Sequence, residues 1–185
     1  MSDREKLLQE IRKHAVVHGD FLLSSGQRAS CYVDLRRVLL TSRIAPLAGR
    51  VMLDLTADLE YEAVGGLTLG ADPVAAAMMH AAAGRQRPLD AFVVRKAGKA
   101  HGLQRRIEGP DVAGRRVLAV EDTSTTGNSV LTAVEALREA GAEVVGVAVI
   151  VERGAGPRVR ESGLAFRAAY ELSDLGLAEP APGLG

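Results

Sequence analysis

The chain has 185 residues, enough for one domain with a sizeable core, and its 47% hydrophobic and 25% charged residues are ordinary for a globular protein. Its 23 basic and 23 acidic residues cancel, which argues against a bulk nucleic-acid binder, and 3% aromatics without Trp leave few platforms for stacking bases. The lone cysteine, Cys31, excludes a disulfide within the chain and a cysteine-rich zinc site, residues 1–10 lack an apolar signal core, and no stretch approaches the roughly 18 apolar residues that span a bilayer, so a cytoplasmic protein with no membrane or nucleic-acid partner is expected.

Residues 5–17 place Leu7, Leu8, Ile11 and Ala15 at helical spacing and predict an amphipathic helix. Ser25-Gly26 is a turn signal, and Cys31, Tyr32, Val33 and Leu35 predict a strand after it. Leu47, Val51, Leu55 and Leu59 predict a helix over 43–59, and Ala63-Val64 running into Gly65-Gly66 predicts a strand end. Asp72-Pro73 predicts a helix start, with Asp capping and Pro in the first turn, and that helix ends near Gly84. Residues 90–94 form a short buried strand. Residues 95–115 carry no apolar period, and a connection of that length predicts a functional loop or mobile hairpin rather than a simple linker. Strand 116–120, helix 128–140, strand 143–151 and a short strand over 164–169 complete an α/β protein with a mostly parallel sheet.

Ligands in such sheets sit beyond the carboxyl ends of the strands. Here strand 116–120 runs directly into Glu121 and Asp122, then Thr123, Ser124, Thr125, Thr126, Gly127 and Asn128 open the next helix. Successive backbone N–H groups, hydroxyls and a helix amino end make a cradle for a phosphate monoester. The two acids suit sugar hydroxyls, or a magnesium ion held partly through water. An ordinary polar strand-to-helix turn with a capping Thr accounts for the same residues. Neither a Gly-Lys-Ser/Thr phosphate loop nor a dinucleotide-binding glycine pattern is present.

The stretch VLAVEDTSTTG, residues 117–127, resembles the phosphoribosyl-diphosphate motif of type I phosphoribosyltransferases. The resemblance implies that Glu121 and Asp122 contact ribose hydroxyls and that 123–128 wrap the 5′-phosphate. Residues 95–106, RKAGKAHGLQRR, hold five Arg or Lys and no acid; this is either a solvated loop or a clamp on a polyanion. The pattern Arg95-Lys96-x-x-Lys99-x-His101-Gly102 is similar to the catalytic loop of the orotate phosphoribosyltransferases. It implies a mobile loop completed across a homodimer, with Lys99 as principal catalytic residue facing diphosphate, His101 assisting, and Asp122 in the catalytic set. Phe21 to Asp34, with Ser25, Gly26 and Tyr32, resembles that family's base-binding signature, although many members have Lys where this chain has Ser24, and Arg28 is the candidate substitute.

Arg153 matches the family arginine that pairs with orotate, and a guanidinium can grip a carboxylate bidentately. GGLTLGADPVA, residues 65–75, resembles the loop that holds diphosphate, through backbone groups at Thr68, Leu69 and Gly70; the Tyr-Lys often found there is absent. The resemblance implies a type I phosphoribosyltransferase fold over 1–185, with a small hood in 1–40, a flexible loop in 95–115 and a frayed tail in 178–185. It also implies Mg²⁺-dependent conversion of orotate and 5-phosphoribosyl 1-diphosphate to orotidine 5′-monophosphate, with no side chain assigned as a metal ligand. A purine-base phosphoribosyltransferase and a non-catalytic nucleotide-binding regulator of the same fold are the alternatives.

Overall fold

The computed structural model describes residues 1–22, 28–96 and 106–177. Helix α1 (Asp3–His14) starts from a capping box: Glu5 N–H donates to Ser2 Oγ at 3.2 Å and Ser2 N–H donates to Glu5 Oε2 at 2.7 Å. It ends before the expected residue 17, because Val16 and Val17 turn away into strand β1 (Val16–Leu22). This strand pairs antiparallel with β2 (Arg28–Val33), Val16 opposite Val33 and His18 opposite Cys31. β-Branched valines suit a pleated strand at least as well as a helix, and pairing decides between them.

Six strands form the central sheet in the order β5-β4-β3-β6-β7-β8. They are β3 (Ala63–Leu67), β4 (Asp90–Val94), β5 (Ile107–Glu108), β6 (Arg116–Ser124), β7 (Glu143–Glu152) and β8 (Ala165–Glu171). All neighbours are parallel except β5, which runs antiparallel to β4 with Val94 opposite Ile107. That two-residue strand lies inside the segment expected to be a functional loop or a mobile hairpin, and its antiparallel pairing with β4 fits the hairpin.

Alternation along the strands feeds two cores. Leu118, Val120, Ala148 and Ile150 face α1, α3 (Ala45–Leu55) and α4 (Ala71–Ala83). Val117, Ala119, Val147 and Val149 face α5 (Asn128–Glu139) and α6 (Gly156–Glu161), against Val130, Val134, Leu137 and Val159. Burial on both faces is why the strands read as continuous apolar runs. Four-residue helix α2 (Arg36–Leu39) links the hairpin to the first core, burying Val38 and Leu39.

Two boundaries differ from expectation in ways that matter for the site. Helix α4 begins at Ala71, so Asp72 lies in its first turn; Gly70 holds the cap position and no side chain caps it. Strand β6 continues past 120 to Ser124, because β7 is long enough to pair with it throughout, up to Ser124 opposite Glu152.

Candidate active site

The long β6 carries the two acids inside the sheet rather than after it. Glu121 is paired with Val149 and Thr123 with Val151, and Arg153 N–H donates to Ser124 O at 2.9 Å. Glu121 is buried, and its Oε2 has no hydrogen-bond partner among the described residues. Burial, reinforced by the neighbouring Asp122 charge, pushes the Glu121 carboxyl up to about 8. Burial also raises Asp122, opposed by a hydrogen bond from Thr123 N–H at 2.7 Å and by the Arg36 charge.

The connection from β3 to α4 crosses directly over these acids. A methyl group on Gly70 would lie 2.6 Å from Asp122 Oδ1 and closer still to Glu121 Oε1, so any other residue here would displace the acids. Thr68 N–H donates to Val94 O at 2.8 Å, and its hydroxyl donates to Asp72 Oδ2 at 2.7 Å. Asp72 therefore braces the connection instead of capping the helix, and its Oδ1 is buried without a partner among the described residues. The Thr68–Leu69 peptide is cis.

A polar cavity of about 260 Å³ opens between the hairpin, this connection and the end of β6. Its walls are Tyr32, Arg36, Leu67 to Gly70, Lys96, Glu121 to Thr123 and Ser129. A larger cavity of about 640 Å³ lies elsewhere, between α2, α3 and α4; its lining is mostly apolar, and the ionisable pair is not part of it. Cations and buried acids on facing walls make the smaller cavity the chemical site.

The structure brings together Tyr32, Thr68, Leu69, Gly70, Lys96, Glu121, Asp122 and Thr123 around that cavity. Ser124 is buried in β6, whereas Thr125 and Thr126 are exposed. Gly127 takes a left-handed φ of 76° to turn the chain into α5, where Asn128 N–H donates to Thr126 Oγ1 at 3.4 Å and the amino end favours an anion. Asn128 bonds through its side chain to Arg158, which also donates to Thr126 O at 3.2 Å. Arg153 follows β7, and its Nε is buried without a partner among the described residues, but it does not line the cavity. Nor does Arg95, which pairs with Glu108 at 3.3 Å. Ser25, Gly26, Lys99 and His101 lie outside the described residues.

Sequence reasoning missed Arg36, Ser129, Asp72 and Arg158. Ser129 had a signal, standing in the first turn of a helix whose start was already read as an anion cradle. Arg36 had a weaker one, its place two residues after Asp34. Nothing local marks Asp72 or Arg158, whose partners are brought in by the fold.

Residues 63–166 match the Phosphoribosyl transferase domain family. An orotate phosphoribosyltransferase of Streptomyces avermitilis is 67% identical over 177 residues, covering 94% of this chain and 97% of its own. The crystal structure of Mycobacterium tuberculosis H37Rv orotate phosphoribosyltransferase in complex with Fe(III) dicitrate matches with a TM-score of 0.86 at 58% identity, over 95% of this chain and all (100%) of that one. A crystal structure of the Mycobacterium tuberculosis enzyme with 5-phospho-alpha-D-ribosyl 1-diphosphate matches with a TM-score of 0.83 at 53% identity, over 95% and 100% of the two chains.

Proposed function

The chain belongs to the orotate phosphoribosyltransferases, with their type I phosphoribosyltransferase fold, and from that premise we propose that it transfers the 5-phosphoribosyl group of 5-phosphoribosyl 1-diphosphate to orotate. The products are orotidine 5′-monophosphate and diphosphate, a step of pyrimidine biosynthesis. The observation that carries this reading is the pair of adjacent acids, Glu121 and Asp122, set beneath the 68–70 backbone at the mouth of a cavity that also holds Lys96 and Arg36. Carboxylates there accept from the two ribose hydroxyls, while the backbone and cations opposite receive the diphosphate. The α5 amino end and residues 123–128 take the 5′-phosphate.

In the reaction a ring nitrogen of orotate, its proton released to solvent, bonds to the anomeric carbon as that carbon loses its bond to diphosphate oxygen. Charge then grows on the departing oxygen, where Lys96, Lys99 and His101 act electrostatically. Arg153 grips the orotate carboxylate, and Ser25, Gly26 and Tyr32 position the ring. Positioning and charge suffice for this chemistry, so no protein nucleophile is assigned.

The donors fit a magnesium ion shared with substrate rather than caged by protein: Glu121 Oε2 lacks a partner and Asp122 lies beside it, yet no group of three ligating side chains occurs among the described residues. Glu121 and Asp122 would hold the ion, partly through water, and when bound it offsets diphosphate charge. The enzyme acts in the cytoplasm as one catalytic unit and as a homodimer sharing the 95–115 loop. No helix of the described residues is long and apolar enough to cross a membrane.

The test is orotate consumption, followed by ultraviolet absorbance. Loss of orotate is expected only with phosphoribosyl diphosphate and magnesium both present. Turnover of adenine, guanine or xanthine with none of orotate would overturn the base assignment.

A further inference from the structure

Arg36 opens α2 three residues after the end of β2. Its Nε donates to Asp34 Oδ1 at 3.0 Å, in a pair whose side chains remain 44% and 24% exposed. That bond orients the guanidinium plane and leaves both terminal Nη groups without a hydrogen-bond partner among the described residues. Arg36 lines the polar cavity together with the 68–70 backbone and the two acids. Among the described lining residues, only Arg36 and Lys96 are cationic.

The connection over the acids, GGLTLGADPVA, offers amides and a hydroxyl but no basic side chain. Its one ionisable side chain is Asp72, an acid. A diphosphate brought beside it meets Glu121, Asp122 and Asp72 nearby, and amide dipoles alone are weak compensation for a polyanion. An oriented guanidinium with two free donor groups supplies both missing quantities, positive charge and paired N–H donors in one plane.

We propose that Arg36 is a diphosphate-binding residue of this enzyme, holding the leaving group by its two terminal Nη groups, with Asp34 as its positioning residue. This assignment rests on the reading of the site as a phosphoribosyl-transferring one. It places a side-chain cation on the hairpin side of the cavity, opposite the loop from which one is absent. Asp34 is suited to the task because its bond to Nε fixes the fork without occupying it. Lys at this position would keep the charge but lose the paired geometry.

The test measures two quantities on purified Arg36→Ala, Arg36→Lys and Asp34→Asn. One is calorimetric affinity for inorganic diphosphate in magnesium buffer, and the other is the pair of KM values. For Arg36→Ala, diphosphate affinity should fall, and KM for phosphoribosyl diphosphate rise, by about tenfold or more, the loss typical of a charge-assisted pair of hydrogen bonds. KM for orotate should stay within about twofold, since uniform damage to the site would move both. Arg36→Lys should recover part of the affinity. Asp34→Asn should weaken diphosphate less than Arg36→Ala, because the cation remains but its fork is no longer fixed. Diphosphate affinity within about twofold of the parent in a folded Arg36→Ala protein, judged by thermal melting, overturns the proposal. If that variant does not fold, parent-like affinity in Arg36→Lys overturns the bidentate grip. Loss of diphosphate binding in Arg36→Ala, alongside a parent that never consumes orotate, leaves Arg36 standing and removes the orotate reading instead.

Discussion

Burial in a strand beside another acid raises the Glu121 carboxyl in the ligand-free fold, a condition the unfolded chain does not share. The folded group titrates at about 8 against an ordinary value of 4.5, so between those limits the folded state binds more proton than the unfolded one. Stability contributed by this residue is therefore present below about pH 4.5 and lost progressively as pH rises toward 8. Glu121→Gln, which keeps the shape and cannot ionise, should match the parent in denaturant unfolding at pH 4.5 and exceed it at pH 9, by on the order of a few kcal/mol. Equal stability differences at the two pH values would show that the buried carboxyl does not carry this linkage. The other acids illustrate what one residue's sequence neighbourhood conceals. Glu121 and Asp122 are legible because they are contiguous with the hydroxyl run that follows them. Asp72 reads as a helix cap, since Asp-Pro is a good helix start, and only the approach of the Thr68 hydroxyl reveals its other use. Arg36 likewise means nothing until the hairpin is laid against the end of β6.

Elements differ in how much of their extent the residues announce. β7 and α5 are read nearly to their ends, because an apolar run and a helical stripe persist to Glu152 and Glu139. β6 is longer than its apolar run: Glu121 to Ser124 are polar, and pairing with β7 keeps them in the strand. β1 is hidden behind α1, whose apolar pattern Val16 and Val17 prolong, and β5 is too short to show any period. The energetic roles separate in the same way. Leu137 of α5 is fully buried in the second core, whereas the site acids belong to β6. Leu137→Ala should lower unfolding free energy by about 2–5 kcal/mol, read by chemical denaturation. Its kcat, measured well below the melting temperature, should stay within about twofold of the parent, because the sheet and not the helix fixes the carboxylates. A large drop in kcat with little change in stability would assign α5 a direct part in positioning the acids.

At the scale of the whole molecule, the two cores meet on one sheet, and the site lies along one edge of it, between that sheet and the β1–β2 hairpin. Four segments far apart in the chain supply it: the hairpin, the β3–α4 connection, the end of β4 and the end of β6. Their order and spacing make the architecture legible in the sequence, whereas their mutual approach does not follow from spacing. The proposed homodimer with a shared loop makes a further demand. Lys99→Ala and Asp122→Asn proteins, each inactive alone, should regain activity when refolded together, because a mixed dimer then has one site with both residues intact. Half the dimers being mixed, and one site in two restored, the mixture should reach about a quarter of parent turnover. No recovery in a mixture that contains mixed dimers would place Lys99 and Asp122 of each site on a single chain.

The extension of β6 to Ser124 has a consequence for how such a site can change. Glu121 is a rung of the parallel ladder beside Val149, as are Thr123 beside Val151 and Ser124 beside Glu152, and ladder rungs open only when the sheet does. The acid-bearing end of the pocket thus inherits the rigidity of the core. The facing walls carry braces of their own, Thr68 to Asp72 in the β3–α4 connection and Arg36 to Asp34 after the hairpin. Substitutions in these segments away from Gly70 can change the facing walls of the cavity while the ladder keeps Glu121 in place. The fold thus sets a rigid base, built into the sheet, against walls drawn from separate segments of the chain.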